Sequence, residues 1–297
     1  MTSTVSGWRA AADPDDLREY DRFGPWIDQV TEPIDMPRRF RPWWQELSTA
    51  EYVLKVPRSY DRSQVHVGMD LYESVIAIFD DRLCFLHAEP STIVRRDVAR
   101  HDVVATIRHS NLLVGRWTLL LADASAVTME FNNVSHARIA EVDAFLLRAA
   151  QDTGMSQLRA VQPTDHLFRS LVQSLNADPT LPLTPLHVEE PGRPCVTDRG
   201  RRRRSAGVML LASQDDLVVV DRDMATKPLF RRANYAFNIV RIPFRLMTGF
   251  GLSTAGSSTF TQLSIISDRQ VITVPCLTPP QAVVGLLTER GIPEGRL

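Results

Sequence analysis

The densest charge cluster in the chain is Arg199-Gly200-Arg201-Arg202-Arg203-Arg204. Guanidinium groups hold phosphate and carboxylate groups through bidentate, charge-assisted hydrogen bonds. Near an anionic surface each basic residue contributes about 1 kcal/mol. Arg201, Arg202, Arg203 and Arg204 are therefore the candidate ligand-binding residues, for an anionic lipid or a phosphate, set against the plainer reading of a solvated loop. A single-strand nucleic-acid groove interleaves its basic residues with stacking aromatics. None adjoins this run, so nucleic acid is not the expected partner. A second mixed segment, Arg38-Arg39-Phe40-Arg41-Pro42-Trp43-Trp44, suits a membrane interface or cation–π packing. Pro37 and Pro42 preclude a long amphipathic helix there, which favours tryptophans that pin the N-terminal segment onto the first domain.

Pro243 to Leu252 supplies the candidate partner-binding residues Phe244, Leu246, Phe250 and Leu252. They alternate with Arg245 and Gly251 as on a half-buried strand, either a docking edge or a longer hairpin over the core. Catalytic chemistry finds no support. There is no Gly-x-Ser-x-Gly elbow, no base beside Ser253 to Ser258, and no phosphate-cradling Gly-x4-Gly-Lys-Ser/Thr run. Asp80-Asp81 and Asp215-Asp216 read as turn residues. Of the seven histidines, His87, His101 and His109 share the first half without His-x3-His spacing, and no Cys-x2-Cys occurs. Neither a metal nor a cofactor is expected. Cys84 and Cys276 read as small hydrophobes, and three scattered cysteines build no disulfide framework.

The elements that position these residues repeat. Val75-Ile76-Ala77-Ile78-Phe79, the turn Asp80-Asp81-Arg82 and Leu83-Cys84-Phe85-Leu86 form one hairpin signature. Val208-Met209-Leu210-Leu211, the turn Gln214-Asp215-Asp216 and Leu217-Val218-Val219-Val220 form another. Downstream, Val103–Ile107 is matched with Phe237–Ile242, Trp117–Leu121 with Phe260–Ile265, and Val127–Phe131 with Gln270–Val274. The matching needs an insertion in the second half, assigned to the Gly/Ser/Thr-rich stretch Gly249–Ser258. Each half closes on a helix. One starts at Ser135 and buries Ile139, Val142, Phe145, Leu146 and Ala149 before Gly154. The other is capped by Thr278 and Pro279, buries Val283, Leu286 and Leu287, and ends at Gly291-Ile292. Between the halves lies a short helix, Asp165 to Leu175. It is followed by Asp178–Pro194, whose five prolines predict an extended connector and not a strand.

A meander of antiparallel strands closed by one C-terminal helix resembles the pleckstrin-homology-like domains of bacteria. Phe79-Asp80-Asp81-Arg82-Leu83-Cys84-Phe85-Leu86 is similar to their acidic turn followed by Arg-Leu-Leu, and Gln214-Asp215-Asp216-Leu217-Val218-Val219 is a version without the arginine. The resemblance spans residues 65–153 and 200–292. It implies a bent sandwich plugged by the helix, and a binding platform in place of an enzyme.

At 297 residues the chain has room for about two domains. Its net charge of −1 argues against a general nucleic-acid binder. Only Lys55 and Lys227 among the 34 basic residues are lysines, a bias that a GC-rich coding genome explains. No run of 18 apolar residues or apolar leader core appears, so a cytoplasmic setting is expected, with peripheral membrane contact as an option. The expectation is thus an α+β, mainly β chain. It comprises an N-terminal extension (1–50), a first pleckstrin-homology-like domain (51–155), a helix and Pro-rich linker (156–198) and a second such domain (199–297). The expected role is a non-enzymatic scaffold for a protein partner, with anionic-lipid contact second. The alternative is a small-molecule-binding enzyme or carrier with a pocket between the repeats.

Overall fold

Apolar runs punctuated by turn residues form antiparallel strands in the computed structural model, which describes residues 9–147, 159–177, 182–197, 200–222, 236–254 and 259–295. The chain is mainly β. The N-terminal segment carries α1 (Pro14–Arg22), β1 (Asp28–Gln29), a 3-10 turn (Arg38–Trp43) and α2 (Trp44–Leu47). Next come β2 (Tyr52–Pro57), β3 (Tyr72–Ile78), β4 (Arg82–Ala88) and β5 (Ile93–Ala99). They are followed by β6 (Val103–Asn111), β7 (Val114–Leu121), β8 (Ala126–Asn132) and α3 (His136–Leu147). The second half has α4 (His166–Leu175), β9 (Thr184–Glu189), a small hairpin of β10 (Pro194–Val196) and β11 (Arg202–Arg204), β12 (Val208–Ala212), β13 (Asp216–Arg222) and β14 (Phe237–Pro243). It ends in β15 (Gly249–Thr254), β16 (Thr261–Ser267), β17 (Gln270–Cys276) and α5 (Gln281–Glu289).

The described residues fall into two compact units: those of 1–102 with 130–141, and those of 103–129 with 142–297. In the first unit β1-β2-β3-β4-β5 form an antiparallel sheet. One face of it, with Val53, Val75, Ala77, Cys84 and Leu86, packs on Phe23, Met36, Phe40 and Leu47 of the N-terminal segment. The edge strand β5 is loaded with charge. Arg95 pairs with Glu46 at 2.7 Å and with Asp97 at 2.6 Å, a device that discourages a further strand from pairing there.

The second unit is built on a seven-stranded sheet ordered β8-β7-β6-β14-β13-β12-β9, with β15-β16-β17 as a separate antiparallel sheet. β6 pairs with β14 from Ser110↔Phe237 to Thr106↔Arg241, so strands of both halves share one sheet. Both faces of β12 are buried. Leu210 and Ala212 face β15–β17 and α5, whereas Met209 and Leu211 face Phe168 and Leu171 of α4. Asp165 caps α4 by accepting from the Phe168 N–H at 3.1 Å. The α5 end closes as expected: Ile292 N–H bonds the Leu287 carbonyl, Gly291 N–H bonds the Thr288 carbonyl, and Gly291 takes φ +72°.

Several expectations are corrected. Within the expected connector 178–194, residues 178–181 lie outside the described residues, and Thr184–Glu189 is not a connector but a strand of the second unit's main sheet. Pro185 is tolerated because β9 is the sheet edge and its register shifts opposite Leu210/Leu211. The repeat is matched differently as well. In element order β14 follows β13 as β5 follows β4, so Phe237–Pro243 corresponds to Ile93–Ala99 and not to β6. The added length lies between β13 and β14, which 14 residues (223–236) separate, against four (89–92) between β4 and β5. Gly249–Thr254 is a strand, not an inserted loop; Ala255 to Ser258 lie outside the described residues. Ser135 does not cap α3; its hydroxyl accepts from the Ile27 N–H at 2.7 Å. Ala149 and Gly154 lie outside the described residues. Thr278 does not cap α5 but bonds Glu189.

Asp216 is more than a turn residue. It is buried on β13 and pairs with Arg241 of β14 at 2.5 Å. On the neighbouring strand, buried Arg108 pairs with Asp143 of α3 at 2.7 Å, and Trp117 Nε1 donates to the same carboxylate at 2.6 Å. Burial pushes the Asp143 carboxyl upward, against the pull of Arg108 and Arg241.

Candidate binding site

The arginine run forms one arm of the β10–β11 hairpin, in register Pro194↔Arg204, Cys195↔Arg203, Val196↔Arg202. Arg201, Arg202, Arg203 and Arg204 are all exposed. Among the described residues none of the four pairs with a carboxylate, and Arg204 bonds only the Gly192 carbonyl, at 2.9 Å. The outer edge of β10 is engaged by Thr259, which bonds Val196 through both backbone and hydroxyl. Thr197 N–H bonds the Arg201 carbonyl and Ser205 N–H bonds the Arg193 carbonyl. By antiparallel alternation, Arg202 and Arg204 therefore turn their own N–H and C=O groups away from β10. Their side chains share one hairpin face and Arg203 takes the other.

The other arginine-rich segment is spent internally. Arg38 pairs with Asp16 and bonds the carbonyls of Gly68 and Met69; Arg39 pairs with Asp70 and Arg41 with Asp15. Phe40 is fully buried, with Trp43 and Trp44 packed beside it. Those tryptophans pin the N-terminal segment, as its prolines suggested.

Phe244, Leu246, Phe250 and Leu252 do not share a strand face. Phe244–Leu246 is a 3-10 turn with Phe244 buried under the Arg290 guanidinium, and Phe250 is a core residue of β15. Leu246 and Leu252 are half-buried. Proline at 243 fixes the entry to the turn, which breaks the alternation.

The histidines of the first half have separate partners: His87 contacts Ser74, His101 lies near Asp102, and His109 contacts Asn238. The fold instead gathers His187, Glu189 and Cys276, whose donor atoms lie within 4.8 Å of one another. His187 and Glu189 are two apart on β9 and share a face; Cys276 arrives at the end of β17. Only the His-x-Glu spacing on a strand signals this in the sequence. Glu189 Oε2 accepts from Leu277 N–H at 2.7 Å. Its Oε1 accepts from Thr278 N–H at 2.7 Å and from the Thr278 hydroxyl, and His187 Nε2 lies 3.1 Å from Oε1. Burial raises the Glu189 carboxyl, but these hydrogen bonds outweigh it and hold the group below its ordinary value. Burial pushes the Cys276 thiol up to about 12, so it is not a poised nucleophile.

The N-terminal segment also forms a cleft lined by Glu19, Arg22, Asp35, Lys55 and Tyr72, with an interior space of about 20 Å³, room for one water. Burial pushes Lys55 downward, against the pull of the Asp28 and Asp35 carboxylates; its ammonium bonds the Asp35 carbonyl and lies over the Tyr72 ring. Between the depressed folded-state pKa and the ordinary value of 10.5 the unfolded chain binds more protons, so Lys55 makes stability rise with pH in that window. Lys55→Met is expected to raise stability at neutral pH by about 1 kcal/mol or more and to flatten that rise. Thermal unfolding at neutral and alkaline pH checks both; a lower midpoint for the variant would show the buried ammonium to be stabilising.

No protein-family model matches the chain, and none of the curated proteins compared with it does. Among the described residues no helix is long and apolar enough to cross a membrane.

Proposed function

We propose that the chain is a non-enzymatic binding protein. It consists of two pleckstrin-homology-like repeats and captures an acidic, extended segment of a protein partner on β11. The repeated order of four strands, three strands and a helix supports the kinship: β2–β5, β6–β8 and α3, then β9 with β12–β14, β15–β17 and α5. The binding role rests on one observation, the exposed arginines of β11 that no described carboxylate neutralises. The outward N–H and C=O groups of Arg202 and Arg204 favour a peptide, since strand addition supplies main-chain hydrogen bonds while the guanidinium groups read acidic side chains.

A fluorescent peptide of alternating glutamate and valine, followed by anisotropy, tests this. Binding is expected to fall as salt rises. Changing Arg201, Arg202, Arg203 and Arg204 together to Ala should weaken it roughly tenfold or more. Arg202→Pro removes an outward N–H without touching the other three charges, and should weaken it as well. Binding to phosphatidylserine vesicles with none to the peptide would replace this reading by a peripheral membrane adaptor. Equal peptide binding by all variants would remove the hairpin from the function.

A further inference from the structure

We propose that His187, Glu189 and Cys276 form a binding site for a thiophilic divalent cation of the zinc class. The three side chains come from two segments far apart in sequence, and supply one imidazole nitrogen, one carboxylate oxygen and one sulfur within 4.8 Å of one another. That donor set selects zinc-like ions over magnesium or calcium, which take oxygen ligands. A tetrahedral ion with bonds of about 2.0–2.3 Å holds its donors roughly 3.3–3.7 Å apart, so the cluster closes on an ion by a shift of about an ångström. The carboxylate is already oriented by the Leu277 and Thr278 N–H groups, as ligating carboxylates are in metal centres.

Charge balances too. The cation displaces the Cys276 proton to solvent, and thiolate plus carboxylate then match its two positive charges inside a buried site. The ion takes the place of the present His187–Glu189 contact. Glu189 and Cys276 are buried, whereas the His187 side chain is 12% exposed. Entry and a fourth, water-filled position therefore lie on the histidine side. Such a site ties the sheet-edge strand β9 to the turn that leads from β17 into α5.

The test is a titration of the reduced, chelator-stripped full chain with Co2+ alone. One equivalent is expected to bind, with a thiolate-to-cobalt absorption band and the intense visible bands of four-coordinate cobalt, and Zn2+ should displace it. Cys276→Ser should abolish the thiolate band, whereas Cys84→Ser and Cys195→Ser should retain it. His187→Gln, at the partly exposed position, should weaken binding at least roughly tenfold with an unchanged circular-dichroism spectrum. That arm decides the matter if Cys276→Ser fails to fold. Absence of cobalt uptake, uptake without a thiolate band, or undiminished affinity in His187→Gln would each overturn the proposal.

Discussion

The Asp143→Asn chain is expected to lose about 3–5 kcal/mol of stability, read as a thermal midpoint roughly 10 °C lower. Arg108 is 2% exposed and stays charged in any protein environment. Asp143, wholly buried on α3, neutralises it at 2.7 Å. The amide of the variant can still accept from Trp117 Nε1, which keeps the local shape, so the change isolates the charge. What remains is a buried guanidinium that has lost the Asp143 charge, close to the positive Arg241, which pairs with Asp216. The double variant Arg108→Met/Asp143→Leu removes both charges and is expected to recover most or all of the loss, because desolvating the pair offsets much of its attraction. A drop under about 1 kcal/mol in Asp143→Asn would mean that water reaches the pair.

Phe168→Ala is expected to cost about 3–5 kcal/mol. The ring is fully buried against Met209, Leu211, Val218, Val220 and Ile239, on the face of the main sheet that α4 covers. Its removal leaves a cavity lined by strand residues that their hydrogen-bond ladders hold in place, so little collapse can follow. The contrast is with a helix that merely links two domains, where an alanine in its place would cost a few tenths of a kcal/mol. Urea unfolding separates the two outcomes, since a smaller midpoint at unchanged slope measures the lost packing.

Local elements were legible because their signals are local. The turns after Phe79 and Ala212, the apolar stripes of α4 and α5, the start of α4 at Asp165 and the Gly291-Ile292 stop all involve residues within a few positions of each other. β5 escaped detection because Arg95, Arg96 and Asp97, which suit an exposed sheet edge, erase its alternation. β9 escaped because a proline that forbids a central strand is harmless at an edge. The arginine hairpin was legible as charge and hidden as geometry. Composition locates the cluster, and only the pairing with β10 shows which backbone groups face outward.

By its sequence alone the chain determined its mainly β character, the order of strands then helix in each half, the bounds of α4 and α5 to within a turn, and a basic run at Arg201–Arg204. Burial periodicity and turn chemistry are written over a few residues and need no partner. Tertiary structure alone decided that β6 pairs with β14, that α4 and β9 belong to the second unit, that Arg108 meets Asp143, and that His187 and Glu189 meet Cys276. Those pairings join segments tens to more than a hundred residues apart. Many strand edges of similar apolar pattern compete for each one, and only the packing of the whole core selects among them.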